Sequence, residues 1–215
     1  MTAKPQRVLI VGASGHAKVI IDILGERLEF EIAGCTSADP GVRELLGIPV
    51  LGPDAILPEV FQSGITNAFV AVGDNRARFR LLRLVTDLGF TLINAISPRA
   101  AISRRARLGA GIAVMPGAAI NVDTVVEDGA IVNTGATVDH DCRIGRCAHI
   151  APGANLAGRV TVGEGSFLGI GSRVIPGCAI GAWTTVGAGG VVIRDLPSHV
   201  TAVGVPAAIV KSVEV

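Results

Sequence analysis

Every sixth residue from Ile96 to Val192 is Ile, Leu or Val, and no insertion breaks the register. The seventeen positions are Ile96, Ile102, Leu108, Val114, Ile120, Val126, Val132, Val138, Ile144, Ile150, Leu156, Val162, Leu168, Val174, Ile180, Val186 and Val192. These three residue types make up about a third of the chain, so such a run arises by chance on the order of once in 10⁸ trials. Four residues after each member, from Ala106 to Gly190, the side chain is Ala, Val, Ser, Thr, Cys or Gly, with Ile112 the exception. One bulky and one small inward position per hexad predict a short strand and a tight turn, three hexads closing a triangular coil of about 18 residues.

The composition agrees with a glycine-punctuated repeat. Gly, at 28 of 215 residues, is near twice its usual share. With 49% apolar and 17% charged residues, disorder is excluded, and the glycines do not fall at every third position as collagen requires. The absence of Tyr, with one Trp and six Phe, leaves an aliphatic core. A net charge of +1 gives no electrostatic reason to expect nucleic acid or an anionic membrane as partner. The polar start, Met1 to Arg7, runs into an apolar stretch, Val8 to Val11, too short for a signal core or a span, so a cytoplasmic location is expected. Cys35, Cys142, Cys147 and Cys178 form no CxxC pair, which indicates neither a zinc knuckle nor a redox motif. Cys142 and Cys178 fall at small inward positions two coils apart, about 9 to 10 Å, too far for a disulfide.

Residues 1–95 follow a different pattern. Arg7 to Gly12 reads as a buried strand, and His16 to Leu28 as a helix with apolar Val19, Ile20, Ile23 and Leu24, opening a βαβ unit. Further strands are expected at Glu31–Cys35, Ala68–Val72 and Thr91–Ala95, with a helix over Arg76–Leu88. The fold class is therefore α/β plus β: a small Rossmann-like βαβ domain over 1–95, a parallel β-helix of hexapeptide repeats over 96–200, and a tail over 201–215.

Gly12-Ala-Ser-Gly15-His16 places glycines before a helix N-terminus, where backbone N–H groups face an anion. A GxGxxG fingerprint is absent, and Thr36 and Ser37 stand where a dinucleotide fold carries an acidic ribose partner, which argues against NAD chemistry. Two of the four histidines, His140 and His149, lie nine residues apart, half a coil, and so on different faces. His140 sits at a predicted corner between Asp139 and Asp141, where a carboxylate orients an imidazole and raises its basicity.

The GASGH start, the Gly73-Asp74-Asn75 turn, the unbroken hexapeptide run, the Asn133 to Cys142 segment and the Gly204-Val205-Pro206-Ala207 ending together resemble one family. It is the bacterial nucleotide-sugar N-acetyltransferases acting on 4-amino sugars, of the bacillosamine and perosamine type, related to sialic acid O-acetyltransferases. The resemblance implies a left-handed β-helix, a hand that runs against the usual crossover preference. It implies His140 as general base, Asp141 as its acidic helper and Asn133 as an upstream polar residue of the site. It further implies acetyl-CoA as co-substrate contacted by His149, Gly158, Ile170 and Ala188, no metal, and a homotrimer with sites between subunits. Ala188 stands where the family often has Gly. The nucleotide-linked amino sugar would meet Gly12, Ser14, Gly15, His16, Ser37, Gly73, Asp74 and Asn75. Ser37 replaces a frequent acidic residue, a reason to favour a GDP-linked acceptor, GDP-perosamine, over a UDP-linked one.

Transfer from a thioester to an amine needs a base near the nitrogen, a donor for the thioester oxygen and a proton for the leaving thiolate. His140 suits the first role, and a backbone N–H on a neighbouring subunit, near Gly158, the second. The alternative acceptor is a hydroxyl of sialic acid or a related sugar, for which the same machinery serves. A γ-type carbonic anhydrase shares the helix but needs three histidines around zinc, and only two lie in the repeat. A bare scaffold has no use for the α/β domain.

Overall fold

The run Val8 to Val11 is fully buried and ends β1 (Gln6–Val11), an interior strand of a six-stranded sheet. A strand covered on both faces has no polar side, hence its unbroken apolar sequence. In this computed structural model, which describes residues 4–212, the chain divides into two units between Pro98 and Arg99.

In the first unit, β1 is followed by α1 (Gly15–Gly25), β2 (Phe30–Thr36), β3 (Glu44–Leu45) and β4 (Ile48–Gly52). Then come a 3₁₀ turn (Asp54–Ile56), α2 (Leu57–Gln62), β5 (Asn67–Val70), α3 (Asn75–Asp87) and β6 (Thr91–Leu92). The sheet order is β3-β4-β2-β1-β5-β6, parallel except for the β3–β4 pair. Chain direction across the sheet reverses at β1, the place where α/β folds bind ligands beyond the strand ends.

Several sequence expectations change here, among them the strand expected at Thr91–Ala95, which ends at Leu92. Helix α1 stops at Gly25 rather than Leu28, and Leu28 is left 94% exposed. Val19 lies on the solvent side of α1, while Ala17, Ile20, Ile21, Ile23 and Leu24 form its buried face. The third strand ends at Val70 rather than Val72, because the carbonyls of Val72 and Gly73 turn to the Arg78 guanidinium. No periodic pattern announces β3, β4 and α2. The β3–β4 turn is Leu46-Gly47, both with positive φ, a conformation usually signalled by Asn or Asp at the first position.

The second unit contains sixteen two-residue strands from Ala101–Ile102 to Val191–Val192, and those up to Arg173–Val174 pair in parallel with the strand eighteen residues on, as in Val125↔Arg143, Thr137↔Asn155 and Arg173↔Val191. They form three faces. The first carries Ile131–Val132, His149–Ile150 and Phe167–Leu168; the second carries Thr137–Val138 and Asn155–Leu156; the third carries Arg143–Ile144 and Thr161–Val162. From Val114 to Val192 every bulky hexad residue is at most 3% exposed, and Ile112, at a small position, is also fully buried. Each such aliphatic side chain contributes about 1.5–3 kcal/mol. All four cysteines are buried and none forms a disulfide. In the expected tail, Val200–Val203 extends the first face after Thr185–Val186 and pairs antiparallel with Ala208–Ser212. No helix among the described residues is long and apolar enough to cross a membrane.

Candidate active site

The corner between the second and third faces carries Asp139, His140, Asp141 and Cys142. The backbone at Asp141 is left-handed, φ 60°, where most other corners place Gly, and Asp is among the few residues that tolerate it. His140 Nδ1 lies 2.8 Å from Asp141 Oδ2, with side chains 45% and 54% exposed, so both are reachable by a substrate. Asp139 hydrogen-bonds to the backbone of His140 instead. Its Oδ1 accepts from the His140 backbone N–H and from Asn121 Nδ2, each at 2.8 Å. The Asn121 amide first, then that backbone N–H, hold the Asp139 carboxyl below the usual range.

With Nδ1–H given to Asp141, Nε2 is the basic nitrogen. That edge of the ring rests on Gly158: a Cβ there would lie 2.5 Å from both Nε2 and Cε1 of His140. Only glycine leaves the imidazole this place. The corner thus sets a carboxylate-oriented imidazole beside the buried Gly158, a geometry suited to general-base chemistry.

Asn133 and His149 occupy a different edge. Asn133 Nδ2 donates to His149 Nε2 at 2.9 Å, and Asn133 Oδ1 accepts from Thr134 N. His149 is 7% exposed and meets Phe167 edge to face, ring centroids 5.2 Å apart. Ile170 and Ala188 stack one coil apart on the corner between the first and second faces, Gly189 N donating to Ile170 O, and Ile170 is 61% exposed. Within one chain, Gly158 lies under His140, and Asn133 bonds His149 on the edge that carries Ile170 and Ala188.

In the first unit, Gly12, at the end of β1, has φ +111°, and a Cβ there would lie 3.1 Å from Ala71 O, so glycine is required by the close approach of β1 and the chain leaving β5. Gly12 N donates to Thr36 Oγ1 at 3.1 Å, and that hydroxyl donates to Asp54 Oδ1. Asp54 brings to the end of β2 the carboxylate that the sequence lacks at Thr36 and Ser37; nothing in the local sequence signals it. Ser14 caps α1 without a side-chain hydrogen bond, and the first turn holds no acidic residue, which leaves the positive helix end open to an anion. A Cβ at Gly15 or Gly73 would meet nothing within 4 Å, so packing does not demand glycine at either.

The other expected contacts have structural roles as well. Asp74 caps α3, accepting from Ala77 N at 2.8 Å. Asn75 Oδ1 accepts from Arg78 at 2.8 Å. Arg78 is 1% exposed and holds the Gly73–Asn75 turn from inside; among the outward arginines of α3, spacing alone does not single it out. Burial first, then the Arg78 charge, push His16 down to about 4. Ser37 lines a cavity of about 300 Å³ with Asp39, Arg43, Leu51 and Pro53. Among the described residues no three His, Cys, Asp or Glu side chains converge as a metal site would.

A Rossmann-like unit followed by a hexapeptide-repeat β-helix with a carboxylate-oriented histidine at a coil corner defines a nucleotide-binding acyltransferase. Residues 7–85 match the PglD N-terminal domain. PerB from Caulobacter crescentus, solved with CoA and GDP-perosamine, is 54% identical, covering 95% of this chain and 97% of its own with a TM-score of 0.91. The acetyltransferase domain of PglB from Neisseria gonorrhoeae is 35% identical over 95% of this chain and 100% of its own, TM-score 0.91. WeeI from Acinetobacter baumannii, 23% identical over 95% and 100% with a TM-score of 0.82, shares the fold. The chain belongs to the perosamine and bacillosamine type of sugar N-acetyltransferases, enzymes of the left-handed β-helix class.

Proposed function

We propose that the protein transfers the acetyl group of acetyl-CoA to the 4-amino group of a GDP-linked amino sugar, GDP-perosamine being the favoured acceptor, with His140 as general base. The observation that carries this reading is the Asp141–His140–Gly158 arrangement. The Caulobacter relative was solved with CoA and GDP-perosamine, both as the parent enzyme and with a single histidine replaced by asparagine or alanine. The N-terminal unit takes the nucleotide through the open end of α1 and the Gly12 and Gly73 turns, and the β-helix supplies the base.

The acceptor amine attacks the thioester carbonyl as His140 Nε2 takes its proton. A backbone N–H near Gly158 stabilises the oxyanion. The tetrahedral intermediate then expels the CoA thiolate, which leaves as the thiol with the proton His140 returns. His149, Asn133, Ile170 and Ala188 serve the acetyl-CoA side. Since these four share one edge of the helix and His140 another, the complete site draws one edge from each of two copies, and a homotrimer satisfies this for all three. The reaction takes place in the cytoplasm, in keeping with four cysteines that form no disulfide, and serves surface-glycan synthesis.

The test is thiol release from acetyl-CoA with GDP-perosamine, UDP-linked 4-amino sugars and sialic acid as parallel acceptors. Turnover with GDP-perosamine, lowered in kcat by about 10² to 10⁴ in His140→Asn with little change in either KM, is expected. A loss below tenfold would remove His140 as base. Silence with every amine would move the acceptor to a hydroxyl.

A further inference from the structure

The corner that presents His140 is tied to the coil before it through two side chains, which hydrogen-bond to Asp139 and Cys142. Thr124 is fully buried. Its hydroxyl donates to Asp139 O at 2.7 Å and accepts from Cys142 N at 3.3 Å, gripping the first and last residues of the four-residue corner. Asn121 Nδ2 donates to Asp139 Oδ1, the same oxygen that accepts the His140 N–H, and Asp141 N donates to Val122 O at 3.1 Å. From the following coil, Arg159 N donates to His140 O at 2.9 Å.

We propose that Asn121 and Thr124 are positioning residues, which hold the Asp139–Cys142 corner from the preceding coil and so aim the His140 imidazole. The inference rests on His140 being the base. Thr124 fixes where the corner begins and ends, and Asn121 fixes the Asp139 carboxylate that holds the backbone of His140 itself. Asp141 remains free to face Nδ1 because Asp139 is engaged. An inward hydroxyl can also staple coils where no base is presented: Thr184 Oγ1 donates to Pro197 O at 2.6 Å and accepts from Val200 N at 3.4 Å. The staple is therefore a device of the fold, and at Thr124 it acts on the reacting side chain.

That second staple makes a matched control. Thr124→Val and Thr184→Val each delete one hydroxyl at nearly constant volume, so both lower the thermal midpoint by similar amounts. Thr124→Val lowers kcat on the order of tenfold or more with both KM values within about twofold, since small misplacement of a reacting group is costly. Thr184→Val leaves kcat within about twofold, and Thr124→Ser restores most of the loss. Asn121 is exposed, so Asn121→Ala folds and lowers kcat several-fold; it decides the matter alone if Thr124→Val fails to fold. Equal kcat in Thr124→Val, Asn121→Ala and the parent, with His140→Asn still crippled, overturns the positioning role and spares the base. A His140→Asn enzyme of parental kcat overturns the base reading, and this inference with it.

Discussion

Asp141 pairs with the His140 ring, Nδ1 to Oδ2 at 2.8 Å, while Asp139, the other flanking carboxylate, pairs with the His140 backbone. Two acids adjacent to one histidine thus have separate tasks. Asp141→Asn loses the charge that stabilises a protonated ring, so kcat falls about 10- to 100-fold and the pH–rate profile shifts. Asp139→Asn keeps a carbonyl oxygen for the His140 N–H, and steady-state kinetics should show a loss of less than about fivefold. The reverse ranking would make Asp139 the ring's partner in the working enzyme.

Gly158→Ala tests the packing of the ring. The backbone there is not in the left-handed region, so alanine is conformationally permitted, but its Cβ would lie 2.5 Å from His140 Nε2 and Cε1. The imidazole must leave its place. A fall in kcat of about 10²-fold is expected, with the thermal midpoint within a few degrees of the parent. Unchanged turnover would show that the ring works from another position.

Arg78→Met tests the buried guanidinium. Its removal strands the carbonyls of Val72 and Gly73 and the Asn75 side chain, a loss of about 3 kcal/mol or more. Melting followed by far-UV circular dichroism should place the midpoint for the N-terminal unit roughly 10 °C or more lower, and GDP should bind more weakly, because the Gly73 turn loses its anchor.

His16 makes stability depend on pH in a stated direction. Its pKa of about 4 in the folded protein lies below the ordinary 6.5, so between those values the unfolded chain binds the extra proton. Stability contributed by neutral His16 is present above about pH 6.5, is lost as pH falls and levels off below about pH 4. The loss from pH 7 to pH 5 is about 2 kcal/mol. Urea titrations of His16→Gln should lose less stability than the parent over that interval; parallel losses would show that His16 is protonated in the fold without penalty.

Gln6–Val11 and the whole β-helix register were legible because inward residues repeat at a fixed spacing and each repeat is one strand. The family's motifs likewise led to His140 and Asp141. The grouping of the site was less legible, although the arithmetic was present: Asn133 and Asp139 are six residues apart, one side of the triangle, and so belong to successive corners. Asp54 and Arg78 left no signal, since each acts through a contact that only the folded chain creates, a Thr36 hydroxyl in one case and two strand-end carbonyls in the other. The β3–β4 hairpin was hidden by Leu46, a residue that seldom adopts positive φ.

Because the strands up to Arg173–Val174 pair with those eighteen residues on, residue number along these coils behaves as an angle. Removing eighteen residues ahead of Asn121 would shorten the column and return every later side chain to its own edge. Removing six would leave the hydrophobic lining intact yet turn everything downstream by a third of a revolution, exchanging the edge of His140 for that of Asn133. The molecule can therefore change length in steps that its chemistry tolerates, but a lineage that gained or lost a single hexad would keep a well-folded prism with its functional groups facing the wrong neighbours.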